Sequence, residues 1–209
     1  LDVGCGIGYF LEVAKKRGWE VHGTEFTDQA IEICQSKGIN MKKGVLNPQN
    51  YPAESFDVIT SFEVIEHINT PTTEINNMQS LLRKEGLLYI TTPNFNSTLR
   101  YLLGEKYNVI CWPEHLSYYT PSTLKKLLVN QGFKVKYVHS TGISLTRLST
   151  SKNIAQPTAV HEGTVFIAAD TQDEKLRNSF EKNPLLGFAK KSVNQALTLS
   201  GKGDALKGL

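Results

Sequence analysis

The sequence predicts an α/β protein built on a mostly parallel, doubly wound sheet with helices on both faces. Three observations carry that expectation. The chain opens on Leu1-Asp2-Val3-Gly4-Cys5-Gly6-Ile7-Gly8, a strand tail running into a glycine-rich turn. Segments of strand periodicity then alternate with segments of helical periodicity, as in βαβ units around a parallel sheet. Finally, an acid, Glu25, stands at the tip of the second strand, the edge at which open α/β sheets bind ligands.

The elements follow in order. Leu1 to Val3 reads as the end of a buried strand, and Tyr9 to Arg17 as a helix with Phe10, Val13 and Ala14 on one face. Between them, Gly4, Gly6 and Gly8 remove every second Cβ, so backbone amides can press on a ligand and the helix can pack close. The spacing G-x-G-x-G, preceded by Asp2, differs from the dinucleotide fingerprint G-x-G-x-x-G. A glycine turn without a ligand is the plainer alternative. Glu20 to Thr24 is a short alternating strand, and the helix after it, starting at Thr27 or Asp28, groups Ala30, Ile31 and Cys34. Glu25 is then either an acid at a helix N-terminus or a ribose ligand. With Thr27 or Asp28 filling the capping role, it is expected to be free for the ribose.

Further along, Phe56 to Ser61 is a strand. Pro71 to Glu85 is a helix carrying Ile75, Met78, Leu81 and Leu82, with Gly86 as its cap. Leu87 to Thr92 is a strand closed by Pro93. Thr120-Pro121 opens a helix with Leu124, Leu127 and Leu128 inward, Gly132 ends it, and Phe133 to Val138 alternates as a strand. Beyond Thr141 the signals thin: Thr164 to Ala169 reads as a strand, and Asp173 to Glu181 and Leu185 to Leu199 as helices. Residues 141–200 are expected to form an insertion or a lid over the substrate. Residues 204–209 begin a last strand that is expected to be cut short. Lacking an initiator Met and starting within a strand, the chain reads as a fragment whose start is missing; residues 1–209 form one domain.

Composition narrows the function. At 209 residues and 40% apolar, the chain can bury one good core. A net charge of +3 gives no basic face for nucleic acid. Cys5, Cys34 and Cys111 match neither a disulfide framework nor zinc spacing, which suits a reducing cytoplasm. No apolar run reaches membrane-spanning length, and no signal peptide is visible.

Chemistry gathers after the fourth and fifth strands. If the chain turns helical after FDVITS, Glu63, Glu66 and His67 fall at i, i+3 and i+4 on one face, a site for a divalent cation. First-turn acids and a hydrogen-bonded histidine are the plainer alternative. His115, leaving the neighbouring strand, can reach the same crevice. Residues 94–119 form a substrate-side loop holding Phe95, Tyr101, Tyr107, Trp112, Tyr118 and Tyr119, either the wall of a pocket or a satellite hydrophobic cluster.

The succession DVGCGIG, Glu25, SFDVITSFEVIEHI, LLYITTPN and PEHLSYYTPSTLKKLL with a later GF resembles class I S-adenosylmethionine-dependent methyltransferases over roughly the first 140 residues. Within them it is similar to the broad group with ubiquinone-pathway O-methyltransferases and glycan methyltransferases. The resemblance implies a Rossmann-like sheet with an antiparallel last strand. It implies cofactor contacts from Asp2, Gly4, Cys5, Gly6 and Gly8, from Glu25 and Phe26, and from Val45, Leu46 and Phe62. The E-x-x-E-H pattern with a later His also resembles small-RNA 2′-O-methyltransferases, which implies a divalent metal, Mg or Mn, on Glu63, Glu66, His67 and His115. Such enzymes often place an aspartate after the third strand for the adenine. Lys43 to Asn47 has no acid, and a backbone contact at Val45 or Leu46, or the Asn47 side chain, is the substitute.

The implied reaction is an in-line methyl transfer to a small-molecule, glycan or quinone-like acceptor, its hydroxyl activated by the metal. Without metal, His67 or His115 is the catalytic base, and nitrogen and carbon acceptors come into play. A nicotinamide dehydrogenase and a catalytically silent cofactor-binding domain are the competing classes.

Overall fold

A computed structural model describes residues 1–107, 109–142 and 194–208. Among the described residues, seven strands form one sheet in the order β3-β2-β1-β4-β5-β7-β6. They are β1 (Asp2–Val3), β2 (His22–Glu25), β3 (Asn40–Lys43), β4 (Phe56–Phe62), β5 (Leu82–Pro93), β6 (Val138–Thr141) and β7 (Ala205–Gly208). β1 to β5 are parallel, and β7 runs antiparallel to both of its neighbours, β5 and β6. The chain moves outward from β1 to β3 and then returns to start β4 beside β1. That reversal opens a crevice at the carboxyl ends of β1 and β4.

The helices among the described residues include α1 (Tyr9–Lys16), α2 (Asp28–Ser36), α3 (Pro71–Leu81), α4 (Thr98–Leu103) and α5 (Pro121–Asn130). Right-handed crossovers put α1 and α2 on one face and α3 and α5 on the other. The core divides accordingly. Leu11, Ala14, Val21, Cys34 and Ile39 form the smaller cluster. The larger one includes Ile59, Ile75, Met78, Leu81, Ile90, Leu124 and Leu206. Side chains of this size each contribute roughly 1.5–3 kcal/mol on burial. α5 begins as its sequence predicts: the Thr120 hydroxyl accepts from the Thr123 amide, the Thr120 amide donates to the Thr123 hydroxyl, and Pro121 occupies the first turn.

Several boundaries differ from the sequence expectation. α3 stops at Leu81, because Leu82 is already extended and pairs with Phe56 at the start of β5. Val58 next pairs with Leu87, so residues 83–86 bulge outward, with Glu85 at φ 65°. Gly86 belongs to this bulge and is no helix cap. β6 starts at Val138, where the ladder with Gly208 begins; Phe133 and Val135 instead pack on the larger core without pairing. On α1 the buried pair is Leu11 and Ala14, whereas Phe10 and Val13 are 38% and 52% exposed. The expected elements at 164–169 and 173–181 lie outside the described residues, as does most of 185–199, of which residues 194–199 fall within a helical stretch, residues 194–200. Among the described residues, no helix is long and apolar enough to cross a membrane.

Candidate active site

The glycine turn fills one side of the crevice. Gly4, Gly6 and Gly8 all have positive φ, between 54° and 73°, which L side chains rarely adopt. Their surroundings differ. A Cβ on Gly4 would lie 2.6 Å from Val64 Cγ2, and one on Gly8 would lie 2.8 Å from both Cys34 Sγ and Ile39 Cδ1. Gly4 therefore seats the turn against the segment after β4, and Gly8 seats α1 against α2. A Cβ on Gly6 would meet nothing within 4 Å. Its backbone faces open space, the surface a ligand can approach.

Glu25 borders that space, but it is not free. Its Oε2 accepts from the Gly6 amide at 2.9 Å. Its Oε1 accepts from the amides of Phe26 (2.7 Å) and Thr27 (3.3 Å) and from the Thr27 hydroxyl (3.0 Å). The expectation that Thr27 caps the helix and releases Glu25 is therefore corrected. Thr27 makes no side-chain cap bond, and its hydroxyl turns back to the carboxylate. The physical reason is the concentration of unpaired amides at a helix start, which draws the nearest anion.

The second half of the site follows β4. Glu63 sits at φ 55°, its amide bonded to the Thr91 carbonyl at 3.0 Å, and the chain then makes a short 3-10 turn at Ile65–His67. No α-helix forms here, so the expected i, i+3, i+4 face is absent. Glu66, His67 and His115 nevertheless converge, with one ligand atom from each within 4.8 Å of the others. Glu63, exposed on the left-handed turn, lies outside that group.

Each member of the triad is held. Glu66 is buried, and its Oε2 accepts from the Thr92 hydroxyl at 2.9 Å. Burial pushes its carboxyl up to about 7. The Glu66 carbonyl accepts from the amides of Leu116 and Ser117, which ties the His115 segment to the 3-10 turn. His67 Nδ1 lies 2.7 Å from the Glu114 carbonyl, and His115 Nδ1 lies 2.7 Å from the Val109 carbonyl. A carbonyl only accepts, so both Nδ1 atoms carry a proton, and in the neutral imidazole that tautomer leaves the lone pair on Nε2.

Residues 94–119 divide between the two readings of the sequence. Tyr107 is buried in a satellite cluster with Leu99 and Val109, its hydroxyl on Ser97 Oγ at 2.9 Å. Tyr119 joins the main core. Tyr118 and Phe95, by contrast, line up with the histidines. Ring centroids lie 4.7 Å apart for His67 and His115, 6.3 Å for His115 and Tyr118, and 5.3 Å for Tyr118 and Phe95. Tyr101 and Trp112 are largely exposed. A cavity of about 710 Å³ lined by Leu1, Phe10, Trp19 and Tyr51 opens at the opposite, amino ends of β1 and β4, away from this chemistry.

A methyltransferase-domain family model matches residues 1–138. The chain belongs to that family. The ubiquinone biosynthesis O-methyltransferase of Coxiella burnetii is 27% identical over 173 residues, 77% of this chain and 73% of that protein. A SAM-dependent methyltransferase structure from Archaeoglobus fulgidus aligns with TM-score 0.62 at 19% identity, over 99% of this chain and 82% of that one. Phosphoethanolamine N-methyltransferase 2 of Haemonchus contortus, solved with S-adenosyl-L-methionine, aligns with TM-score 0.58 at 16% identity, over 99% of this chain and 46% of that one.

The crevice has a place suited to S-adenosylmethionine. The open face of Gly6 is a cradle that any Cβ would begin to fill, and Glu25 stands at its rim. Phe26 and Val45, 63% and 59% exposed, present apolar surface on either side of the β2–β3 edge. Leu46 is buried in the core, which leaves only its backbone for a ligand, and the Asn47 side chain caps the 3-10 turn at Pro48–Asn50. Phe62 stacks edge-on with Phe10 at 5.2 Å, and the Cys5 amide bonds the Thr24 carbonyl. Asp2 is 2% exposed and accepts from the Thr60 hydroxyl at 2.7 Å, bracing β1 on β4 at the root of the turn. Sequence reasoning missed Val64, Thr60 and Thr92, small residues within strands or tight turns whose roles arise only across the sheet.

Proposed function

We propose that this methyltransferase transfers the methyl group to an oxygen of a small-molecule acceptor at the Glu66–His67–His115 triad. The observation that carries the reading is the convergence of one carboxylate and two imidazoles whose Nδ1 protons are already engaged. Two imidazole nitrogens and a carboxylate are a donor set suited to Mg²⁺ or Mn²⁺, and carbonyl-anchored imidazoles are the usual orientation of metal-binding histidines. Glu66, His67 and His115 would hold such an ion, which supplies Lewis acidity that lowers an acceptor hydroxyl's pKa. The chain's own residues do the rest. Glu25 and the Gly6 backbone position the methyl donor, whose sulfonium already activates the carbon, and the Tyr118–Phe95 side positions the acceptor for in-line attack.

A hydroxyl paired with a second adjacent oxygen, as in a catechol or vicinal diol, suits this arrangement, and a quinone-like ring accords with the name of the Coxiella relative. A glycan is the other acceptor that a wall of aromatic rings suits. Three unpaired cysteines suit a cytoplasmic setting.

One observation favours a second mechanism at the same site. Burial raises the Glu66 carboxyl to about 7, so it is partly protonated near neutral pH, and a protonated carboxyl binds metal poorly. His67 or His115, each with a free Nε2, then acts as the base. Methyl transfer to catechol with and without chelator decides between them. The metal-assisted reading predicts loss of turnover in EDTA and recovery with Mg²⁺. Turnover indifferent to EDTA assigns the histidine base, and S-adenosylhomocysteine binding without turnover on oxygen, nitrogen or carbon acceptors assigns a silent domain.

A further inference from the structure

We propose that Arg100 and Lys202 form a subsite for an anionic group, a phosphate or carboxylate, carried by the acceptor at a distance from the methylated atom. The inference rests on the reading that the acceptor lies along residues 94–119 and names a chemical feature of that acceptor.

The Arg100 guanidinium, on α4, lies over two rings, 4.2 Å from the Phe95 centroid and 4.4 Å from that of Tyr101. Lys202 Nζ lies 5.1 Å from the same Tyr101 ring. Two cations thus sit against one aromatic ring, Tyr101, although they stand far apart in sequence. Their meeting is built into the sheet. β7 runs against β5, so the residues before it arrive at the carboxyl end of β5, where the Asn94 side chain donates to the carbonyls of Gly201 and Gly203 and the Thr98 amide donates to the Lys202 carbonyl.

Converging cations are ordinarily offset by a carboxylate. Here, among the described residues, neither cation has one: the ion pairs fall elsewhere, on Glu12, Glu20, Asp28 and Asp57. Among the described residues, the hydrogen-bond acceptor of Lys202 Nζ is the neutral Asn96 Oδ1 at 2.8 Å, which also accepts from the Tyr101 hydroxyl at 3.0 Å. Arg100 Nε is buried with no hydrogen-bond partner, and an unsatisfied charged donor is costly unless something accepts from it. Stacking leaves the N–H edges of a guanidinium available, which suits the paired oxygens of a phosphate or carboxylate. The ring series Phe95, Tyr118, His115 leads from this charge to the triad. An acceptor lying on it would put its reacting oxygen at the histidines and its anion at Arg100.

The test is a calorimetric titration of the S-adenosylhomocysteine-saturated protein with phenyl phosphate, phenol and inorganic phosphate. Phenyl phosphate should bind about tenfold tighter than either of the others, and Arg100→Gln and Lys202→Gln should each remove about tenfold while leaving S-adenosylhomocysteine affinity within about twofold. Equal binding of phenol and phenyl phosphate, or a preference surviving in both variants, overturns the proposal. Binding to phosphatidylglycerol vesicles that needs both cations, without phenyl phosphate binding, overturns it in favour of a membrane surface. Failure of the triad reading appears separately, as catechol methylation indifferent to His115→Ala while phenyl phosphate binding persists.

Discussion

His67 and His115 meet edge to face with ring centroids 4.7 Å apart, and the Glu114 carbonyl that orients His67 belongs to the residue next to His115. One loop therefore supplies both a functional ring and the anchor for the other. The two histidines are a single mechanical unit joined to the end of β4 through the Glu66 carbonyl. In the proposed mechanism they act through their Nε2 atoms. His115→Ala should lower turnover by about 10²-fold or more, while S-adenosylhomocysteine affinity, set on the other side of the crevice, changes by less than about threefold. Steady-state rates beside calorimetric Kd values check the split.

Glu25 joins the glycine turn to the start of α2 through four donors. Glu25→Ala removes the carboxylate from the rim of the cradle and unties the Gly6 amide. Hydrogen bonds to a charged group contribute about 1.5–3 kcal/mol, so S-adenosylhomocysteine affinity should fall by about tenfold or more. An unchanged Kd would remove Glu25 from the cofactor site.

The glycines of the turn should separate folding from binding. Gly8→Ala forces a Cβ to within 2.8 Å of Cys34 and Ile39 at φ 73° and should cost about 3 kcal/mol of stability. Gly6→Ala meets open space and carries only the left-handed backbone penalty, about 1 kcal/mol, yet it occupies the cradle. Urea unfolding should rank Gly8→Ala as the less stable protein, whereas cofactor titration of the folded proteins should rank Gly6→Ala as the weaker binder.

Glu74 on α3 is buried, its Oε1 has no hydrogen-bond partner, and burial pushes its carboxyl up to about 7. In the unfolded chain it titrates near 4.5. Between these values the folded state binds the extra proton, so stability falls as pH rises from about 4.5 through 7. Glu74→Gln keeps the shape without the charge. It should be near neutral at pH 4 and should stabilise by about 2 kcal/mol at pH 8, a crossover that urea melts at the two pH values will show.

What the sequence made readable follows from where the information lies. The glycine turn, Glu25 and the capped start of α5 are local patterns, and each lies where its pattern implies. Glu66, His67 and His115 were also readable, although His115 depended on two neighbouring strands. Helical spacing after β4 groups Glu63 with Glu66 and His67, whereas the backbone takes a left-handed residue and a 3-10 turn there. The end of α3 was misplaced because Leu82 suits a helical stripe as well as it suits a strand, and only its pairing with Phe56 decides. The Arg100–Lys202 pairing was invisible, since it depends on β7 running against β5.

The most direct test of the triad is Mn²⁺ binding followed by paramagnetic resonance. One ion should bind per chain, lost in His115→Ala and Glu66→Gln and retained in Glu63→Ala. Absence of binding, or binding that His115→Ala leaves intact, would contradict the triad reading.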